Sequence, residues 1–401
     1  MSRRPTTSPS LTLALLGLLA ASTACDPAAE PAAEVYLLER ACPGGVGPME
    51  LQLERHVTAI GPSANELIAL GDGILVVESG ANTLSRFDRR ADAFHRGFID
   101  VGTERNPYAA AADPGADEVW VANYASHTVT VARGTTGEVL EEIEHDDLRN
   151  PSAVVLTADY AYVANVAFLG PPERFGPGSV TVIHRASREV AATLDTEFRN
   201  PHFLALYEEA GASYLMVSSS GAFELGDEVR VVSEGGLELF DLGADPVSPP
   251  RQSYPLGQEA VQTVGAPGLP LWRPGDPRVF FASGNAPGLF VFDLDARAWL
   301  HDAADPFWLY DAAGRDATHS AALTAEGLLL LTAFNQDALY VLDTACMELM
   351  APSIDLGEVA NMLEGPKGII VIDEEPAEAY FLYSIANALG RLRLLPVGDL
   401  P

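Results

Sequence analysis

The sequence predicts an all-β chain folded as a seven-bladed β-propeller closed by an N-terminal strand, and three observations predict it. First, a phrase is repeated: Val121-Ala122-Asn123 followed by Thr128-Val129-Thr130-Val131, and Val163-Ala164-Asn165 followed by Val180-Thr181-Val182-Ile183. Each copy is a short strand ending in Asn, a turn, and a second alternating strand. Second, loops ending in Pro62, Pro107, Pro151, Pro201, Pro267 and Pro366 precede apolar strands, and His319 takes the equivalent place before a further one. Counting from Ser63, Tyr108, Ser152, His202, Gly268, Ser320 and Lys367, the starts are 45, 44, 50, 66, 52 and 47 residues apart, close to the period of propeller repeats. Third, 401 residues with 48% hydrophobic content can bury a large core in one repeat-built body.

Taken in chain order, the first element is an export signal. Arg3 and Arg4 precede an apolar run from Leu11 to Ala21, and the small residues Ser22-Thr23-Ala24 follow, directly before Cys25. That run is too short to span a membrane as a finished helix. Small residues ending in cysteine resemble the lipobox of bacterial lipoproteins, which implies cleavage after residue 24 and lipidation of Cys25. Ser22 stands where that pattern prefers Leu, so simple secretory cleavage nearby is the competing reading. Asp26-Pro27-Ala28-Ala29-Glu30-Pro31-Ala32-Ala33-Glu34 lacks periodicity and reads as a tether. The expected organisation is a signal peptide over 1–24, a lipidated cysteine and tether over 25–48, and the propeller over 49–401. The address is the bacterial cell envelope, periplasmic or on the outer membrane or cell surface, with membrane contact through the lipid anchor only.

Four strands can be read in each of the first six repeats; in the second they run Tyr108 to Ala112, Glu118 to Asn123, Thr128 to Arg133 and Val139 to His145. The seventh repeat supplies three, from Gly368 to Ile372, Ala379 to Ser384 and Gly390 to Leu394, before the chain ends. The alternating stretch from Met49 to Val57 can complete it and close the ring without an unpaired internal edge. This closure brings Cys42, just before the closing strand, near Cys346, at the turn before the outermost strand of the sixth blade. An exported compartment permits a disulfide between them. Two buried free thiols are the competing reading.

Glu118-Val119-Trp120-Val121-Ala122-Asn123, Thr128-Val129-Thr130-Val131 and Ala161-Tyr162-Val163-Ala164-Asn165 resemble the YVTN family of β-propeller repeats. The likeness is best in blades two and three, reduced to echoes in blades one, six and seven, and weakest in four and five. Such a resemblance implies the fold and leaves function open, because propellers host binding, scaffolding and catalysis alike.

In a four-stranded blade, the loop leading into the innermost strand and the loop between the second and third strands open on one face. The first set brings Tyr108, His202 and Lys367 to the axial mouth with His319 beside them. An acid, a base and a cation there could orient an anionic ligand or move a proton. The second set carries two insertions, Phe168 to Gly178 with Arg174 and Phe175, and Ser218 to Glu234 with Phe223. Adjacent enlarged loops on one face are how repeat scaffolds usually acquire a binding surface. The recurring Asn82, Asn123, Asn165, Asn285, Asn335 and Asn387 are expected to cap strands and turns rather than bind ligand.

Composition excludes more than it names. A net charge of -32, from 24 basic and 56 acidic residues, repels phosphate backbones, so nucleic acid is not an expected partner. Lys367 is the only lysine. No His-Glu-x-x-His, paired Cys-x-x-Cys, phosphate-binding Gly-rich loop or Gly-x-Ser-x-Gly elbow occurs, and neither a metal nor a cofactor is expected. The acidic pairs Asp146-Asp147, Glu208-Glu209 and Glu374-Glu375 lack the spacing of a calcium loop. These features favour a binding or scaffold module for a protein, peptide or carbohydrate partner over an enzyme. A hydrolase or lactonase-like funnel, or an accessory subunit of a redox assembly, is the alternative. Mass spectrometry of the mature N-terminus is expected to find acylated Cys25; an unmodified terminus, or one beginning elsewhere, would remove the lipid anchor.

Overall fold

The strands form because runs such as Ile74-Leu75-Val76-Val77 are apolar on both faces, and a strand with two apolar faces needs cover on each side. In this computed structural model, which describes residues 33–170, 174–209, 211–225, 229–258, 266–284, 288–309, 318–359, 362–363 and 366–397, all four of those residues are fully buried. Ile74 and Val76 pack against Tyr380, Leu382 and Leu389 of the last blade, whereas Leu75 and Val77 pack against Val119 and Val121 of the next. Blade five divides its strand between Val279 with Phe281 and Phe280 with Ala282 in the same way. Among the described residues there are seven apolar clusters, one at each boundary between neighbouring blades.

The blades are antiparallel sheets, written here from innermost strand to outermost. Blade one is Ala64–Leu70, Gly73–Glu78, Thr83–Asp88 and Ala93–Asp100, and blade two is Pro107–Asp113, Glu118–Asn123, Thr128–Arg133 and Val139–Glu144. Blade three is Pro151–Leu156, Tyr160–Asn165, Ser179–His184 and Glu189–Asp195; blade four is Pro201–Glu209, Ala212–Ser219, Gly236–Asp241 and Arg251–Pro255. Blade six is Thr318–Leu323, Leu328–Ala333, Ala338–Asp343 and Glu348–Asp355.

Blade five departs from the expected four strands. Its described strands are Arg278–Ala282, Gly288–Asp293 and an outer edge in two pieces, Ala298–His301 and Phe307–Trp308. Among the described residues, the innermost place is held by the Leu271–Phe280 bridge and a hydrogen bond from the Gly268 amide to the Ala282 carbonyl, 2.9 Å. Pro267, Pro270, Pro274 and Pro277 explain this, because each lacks the N–H that a ladder needs.

Blade seven closes as expected and then goes further. Pro366–Ile372, Ala377–Tyr383 and Ala388–Pro396 are completed by Met49–Ala59, and Glu34–Leu38 adds a fifth, outermost strand. The folded body therefore begins upstream of residue 49, inside the segment the sequence assigned to the tether. Its short alternation is hard to separate from the Ala- and Pro-rich run before it. Tyr36 and Leu38 pack into the boundary with blade six, and the Tyr36 hydroxyl donates to the Asp355 carbonyl at 3.0 Å. Cys42 and Cys346 are joined by a disulfide. Beside it the Val46 amide donates to Asp343 Oδ2 at 2.7 Å, so the closing segment is tied to blade six by covalent and polar links together.

The strand-ending Asn residues are structural. Asn123 Nδ2 donates to Thr128 and Thr130 hydroxyls, Asn165 Nδ2 to Ser179 and Thr181, and Glu78 holds Thr83 and Ser85 in the same place of blade one. Asn82 and Asn387 belong to a second class, in the following turn with positive φ. Asn82 Oδ1 accepts the Arg105 and Asn106 amides, fixing the loop into blade two. Asn285 lies outside the described residues.

The disulfide closes a separation of 304 residues. Cys42→Ser with Cys346→Ser is expected to lower the denaturation midpoint, through a loss of unfolding free energy of up to about 5 kcal/mol if chain entropy dominates. Chemical denaturation with and without reductant checks this, and coincident curves would mean that closure does not depend on the bridge.

Candidate functional site

The innermost strands share one irregularity. The register slips between Ala64 and Glu66, Pro107 and Ala109, Pro151 and Ala153, Pro201 and Phe203, and Thr318 and Ser320. Each slip leaves one residue out of the ladder: Asn65, Tyr108, Ser152, His202 and His319. Blade seven carries the same bulge one residue later, at Gly368 with φ 41° beside Lys367. Bulges at a rim re-aim a side chain, and here they occur around the propeller axis.

The axial cavity has a volume of about 350 Å³, near the lower end of small-molecule sites. Tyr108, Ser152, His202, Ser320 and Lys367 line it, so five of the seven starts counted from the sequence converge there. Blade one contributes Asn65 and Glu66 rather than Ser63, because its innermost strand opens at Ala64, two residues after Pro62, whereas those of blades two, three and four open at the proline itself. Leu269 and Ala282 stand in for Gly268 in blade five. His319 occupies the bulge of blade six by backbone position; its side chain lies outside the described residues.

Tyr108 and His202 come from blades two and four and meet through a 2.9 Å contact between the phenolic oxygen and Nε2. Burial, with Tyr124 and Glu66 nearby, pushes the Tyr108 phenol up to about 12, which keeps it protonated in neutral solution. Glu66 Oε2 accepts the Ala110 amide at 2.8 Å, and desolvation in the cavity wall raises its carboxyl to about 7. Sequence reading missed Glu66, since counting from Pro62 placed Ser63 at the mouth.

Lys367 Nζ donates to Asn65 Oδ1 at 3.2 Å. Asn65 Nδ2 in turn donates to Ser79, and the Ser79 hydroxyl donates to the carbonyl of Pro107, the residue before Tyr108. Blades seven, one and two are thereby linked through one polar relay. Among the described residues no carboxylate lies within salt-bridge distance of Lys367. Burial moves its ammonium below the usual lysine range. Ser152 is a structural member of the ring: its hydroxyl donates to the Pro201 carbonyl at 3.0 Å, as Ser218 does to Pro267 at 2.9 Å.

Both insertions fold as β-hairpins on the face where the cavity opens. Phe168–Gly170 pairs with Arg174–Phe175, and the Phe168 and Phe175 rings meet edge to face at 5.6 Å. Ala222–Leu225 pairs with Val229–Ser233, with Phe223 half-buried at its start. Arg199 joins the two, donating to the Phe175 carbonyl at 3.0 Å and accepting the Gly221 amide at 3.0 Å. Phe168 and Leu169 remain 46% and 59% exposed, and Val232, Leu269, Trp308 and Ile385 are exposed on the same face. The backbone of Glu358–Val359 and Met362–Leu363 adds a third small hairpin, between blades six and seven, that the sequence did not reveal.

No family profile matches the chain, and no curated protein matches it by sequence. Solved structures do. A chain of Kuenenia stuttgartiensis hydrazine synthase superposes with a TM-score of 0.61 at 13% identity, covering 84% of this chain and 96% of the other. Streptogramin B lyase superposes with a TM-score of 0.60 at 10% identity, covering 86% of this chain and 98% of the other. In all, 1299 solved chains match, so the likeness establishes the β-propeller fold and does not discriminate among functions.

Glu66 gives the site a pH signature. Its folded pKa of about 7 lies above the ordinary carboxyl value of about 4.5, so its contribution to stability is fully present below about 4.5 and is lost as pH rises through about 7. Glu66→Gln keeps the acceptor for Ala110 and removes the charge. It is expected to raise stability at pH 8 by on the order of 2 kcal/mol and to change it little at pH 4. Denaturation curves of both proteins at the two pH values check this; an equal effect at both would place Glu66 in water rather than in the cavity wall.

Proposed function

We propose that this chain is an exported, lipid-anchored propeller, akin to YVTN-type repeat proteins, that binds a protein or peptide partner through its loop face. The observation that carries this reading is the co-facial arrangement of two linked hairpins, an exposed apolar surface and the mouth of the axial cavity. Of the twelve large apolar side chains exposed among the described residues, six (Phe168, Leu169, Val232, Leu269, Trp308 and Ile385) belong to this face, and a cluster of that kind supports an interaction surface where the same residues scattered singly would need no explanation. Phe168, Leu169, Val232 and Trp308 supply the large apolar contacts that dominate binding energy. The charge of -32 supports a partner with basic or neutral complementary surface and disfavours nucleic acid. A disulfide accords with an oxidising compartment, as export would require. A carbohydrate partner has less support, since among the described residues the exposed large aromatics on this face are Phe168 and Trp308.

One observation favours a second reading. Tyr108, His202, Lys367 and Glu66 line a single cavity, and the first two are in hydrogen-bond contact. A hydrolase or lactonase-like enzyme would need such acid and base groups. Streptogramin B lyase and hydrazine synthase are named for reactions, but at 10% and 13% identity they lend this chain a scaffold only.

The loop-face reading is tested by replacing Phe168 and Leu169 with Ser, and separately by deleting residues 168–178, then comparing capture from envelope extracts. Captured partner is expected to fall by about tenfold or more with either change, as for interface anchors. Unchanged capture by both variants would sink the loop-face reading.

A further inference from the structure

We infer that the axial cavity binds a small organic monocarboxylate, whose anionic group is held by Lys367 and whose body lies against the apolar wall. This rests on the preceding reading only in using the same open face.

The inference starts from a charge without a counter-charge. The chain has 56 acidic residues and one lysine, and that lysine is in the cavity wall. Among the described residues its polar contact is the amide oxygen of Asn65, a neutral acceptor. An ammonium has three donors, and this contact uses one. A cation removed from water without a partner is unfavourable, and an anion delivered by a ligand relieves that state where a solvated lysine would gain little. Asn65 is itself committed on its other side to Ser79, so Lys367 is held in place rather than left to swing into solvent.

The surroundings select the kind of anion. Around the cavity lie Leu67, Val154, Leu204, Leu269, Ile369 and Ile370, an apolar lining suited to a hydrocarbon or aromatic body. A single cation matches a single negative charge. A phosphate dianion would leave one charge uncompensated in a cavity that the Glu66 carboxyl also lines. Tyr108 and His202 supply polar groups elsewhere on the wall, where a second ligand substituent can be recognised. At about 350 Å³ the space suits a small acid rather than a folded partner.

The lone lysine makes the test direct. Reductive methylation with carbon-13 formaldehyde of the full mature protein places one side-chain label, at Lys367, whose signal is assigned by its loss in Lys367→Arg. Benzoate, phenylacetate, benzamide and inorganic phosphate are then titrated, with calorimetry of the unlabelled protein alongside. Benzoate or phenylacetate is expected to shift the Lys367 signal saturably, and to bind about tenfold or more tighter than neutral benzamide or phosphate. Lys367→Met is expected to lose that preference for the acid over the amide, and Lys367→Arg to retain part of it. If no carboxylate moves the Lys367 signal, or if benzoate and benzamide bind equally, the inference is wrong. Preferential binding of phosphate would likewise overturn the monocarboxylate assignment. Because these readouts do not involve the hairpins, carboxylate binding with unchanged partner capture in the hairpin variants would reject the loop-face reading alone. Lost capture without carboxylate binding would reject this inference alone.

Discussion

Every blade of this protein is apolar on both faces, and that single constraint governs the rest of the structure. A strand such as Gly73–Glu78 sends Ile74 and Val76 to one neighbour and Leu75 and Val77 to the other, so each blade completes the cores of two boundaries. An open row of seven would leave two faces wet. Burying an aliphatic side chain contributes roughly 1.5–3 kcal/mol, so leaving the Leu382, Leu389 and Tyr380 face against water would be expensive. Ring closure is therefore a condition of folding, and the seam is where the chain invests extra links. The closing strand Met49–Ala59, the added strand Glu34–Leu38, the disulfide and the Asp343 acceptor all lie there.

Closure also creates the axial site. The six innermost strands described around one axis cannot all pack side chains inward, and a bulge in each relieves the crowding while exposing a residue to the central space. The remaining polar groups must then be satisfied inside a confined cavity. Ser79, Ser152 and Ser218 do this by donating to the carbonyl of the proline that begins the next blade. These hydroxyls explain the Pro-led repeat in physical terms: the proline offers no N–H, its carbonyl accepts from the preceding or neighbouring blade, and the following residue is turned toward the axis. Tyr108, His202 and Lys367 are the places where that turned residue carries chemistry.

Much of this was legible in sequence because the informative patterns are local. Blades two and three were readable almost to the residue, since alternation and the Asn-terminated strand fix their register. The closing strand followed from the missing fourth strand of blade seven; closure brought Cys42 near Cys346 but left a disulfide and two free thiols as open alternatives, which the structure resolves as a disulfide. What was not legible depends on pairing across strands. A bulge changes register without changing composition, so Ser63 and Ser320 were counted where Asn65 and His319 stand, and Glu66 was overlooked. The prolines around residue 270 were visible, but only the ladder shows that they remove a strand instead of bounding one. Phe168, Arg174, Phe175 and Phe223 were placed correctly in insertions, yet their pairing into hairpins joined by Arg199 required three-dimensional contacts.

The charge balance joins these themes. A surface of net charge -32 repels anions at long range, which at first sight opposes a cationic pocket. The two act over different distances. In physiological salt the surface field decays over about 8 Å, whereas an ammonium within a low-dielectric wall interacts strongly with a group in direct contact. The acidic exterior thus opposes the approach of anionic ligands at long range, while the cavity decides what is retained. A pocket of this kind discriminates by size and by single charge together. Lys367 is fixed by Asn65 on a bulged inner strand, and those bulges exist because seven two-faced blades had to close on one axis.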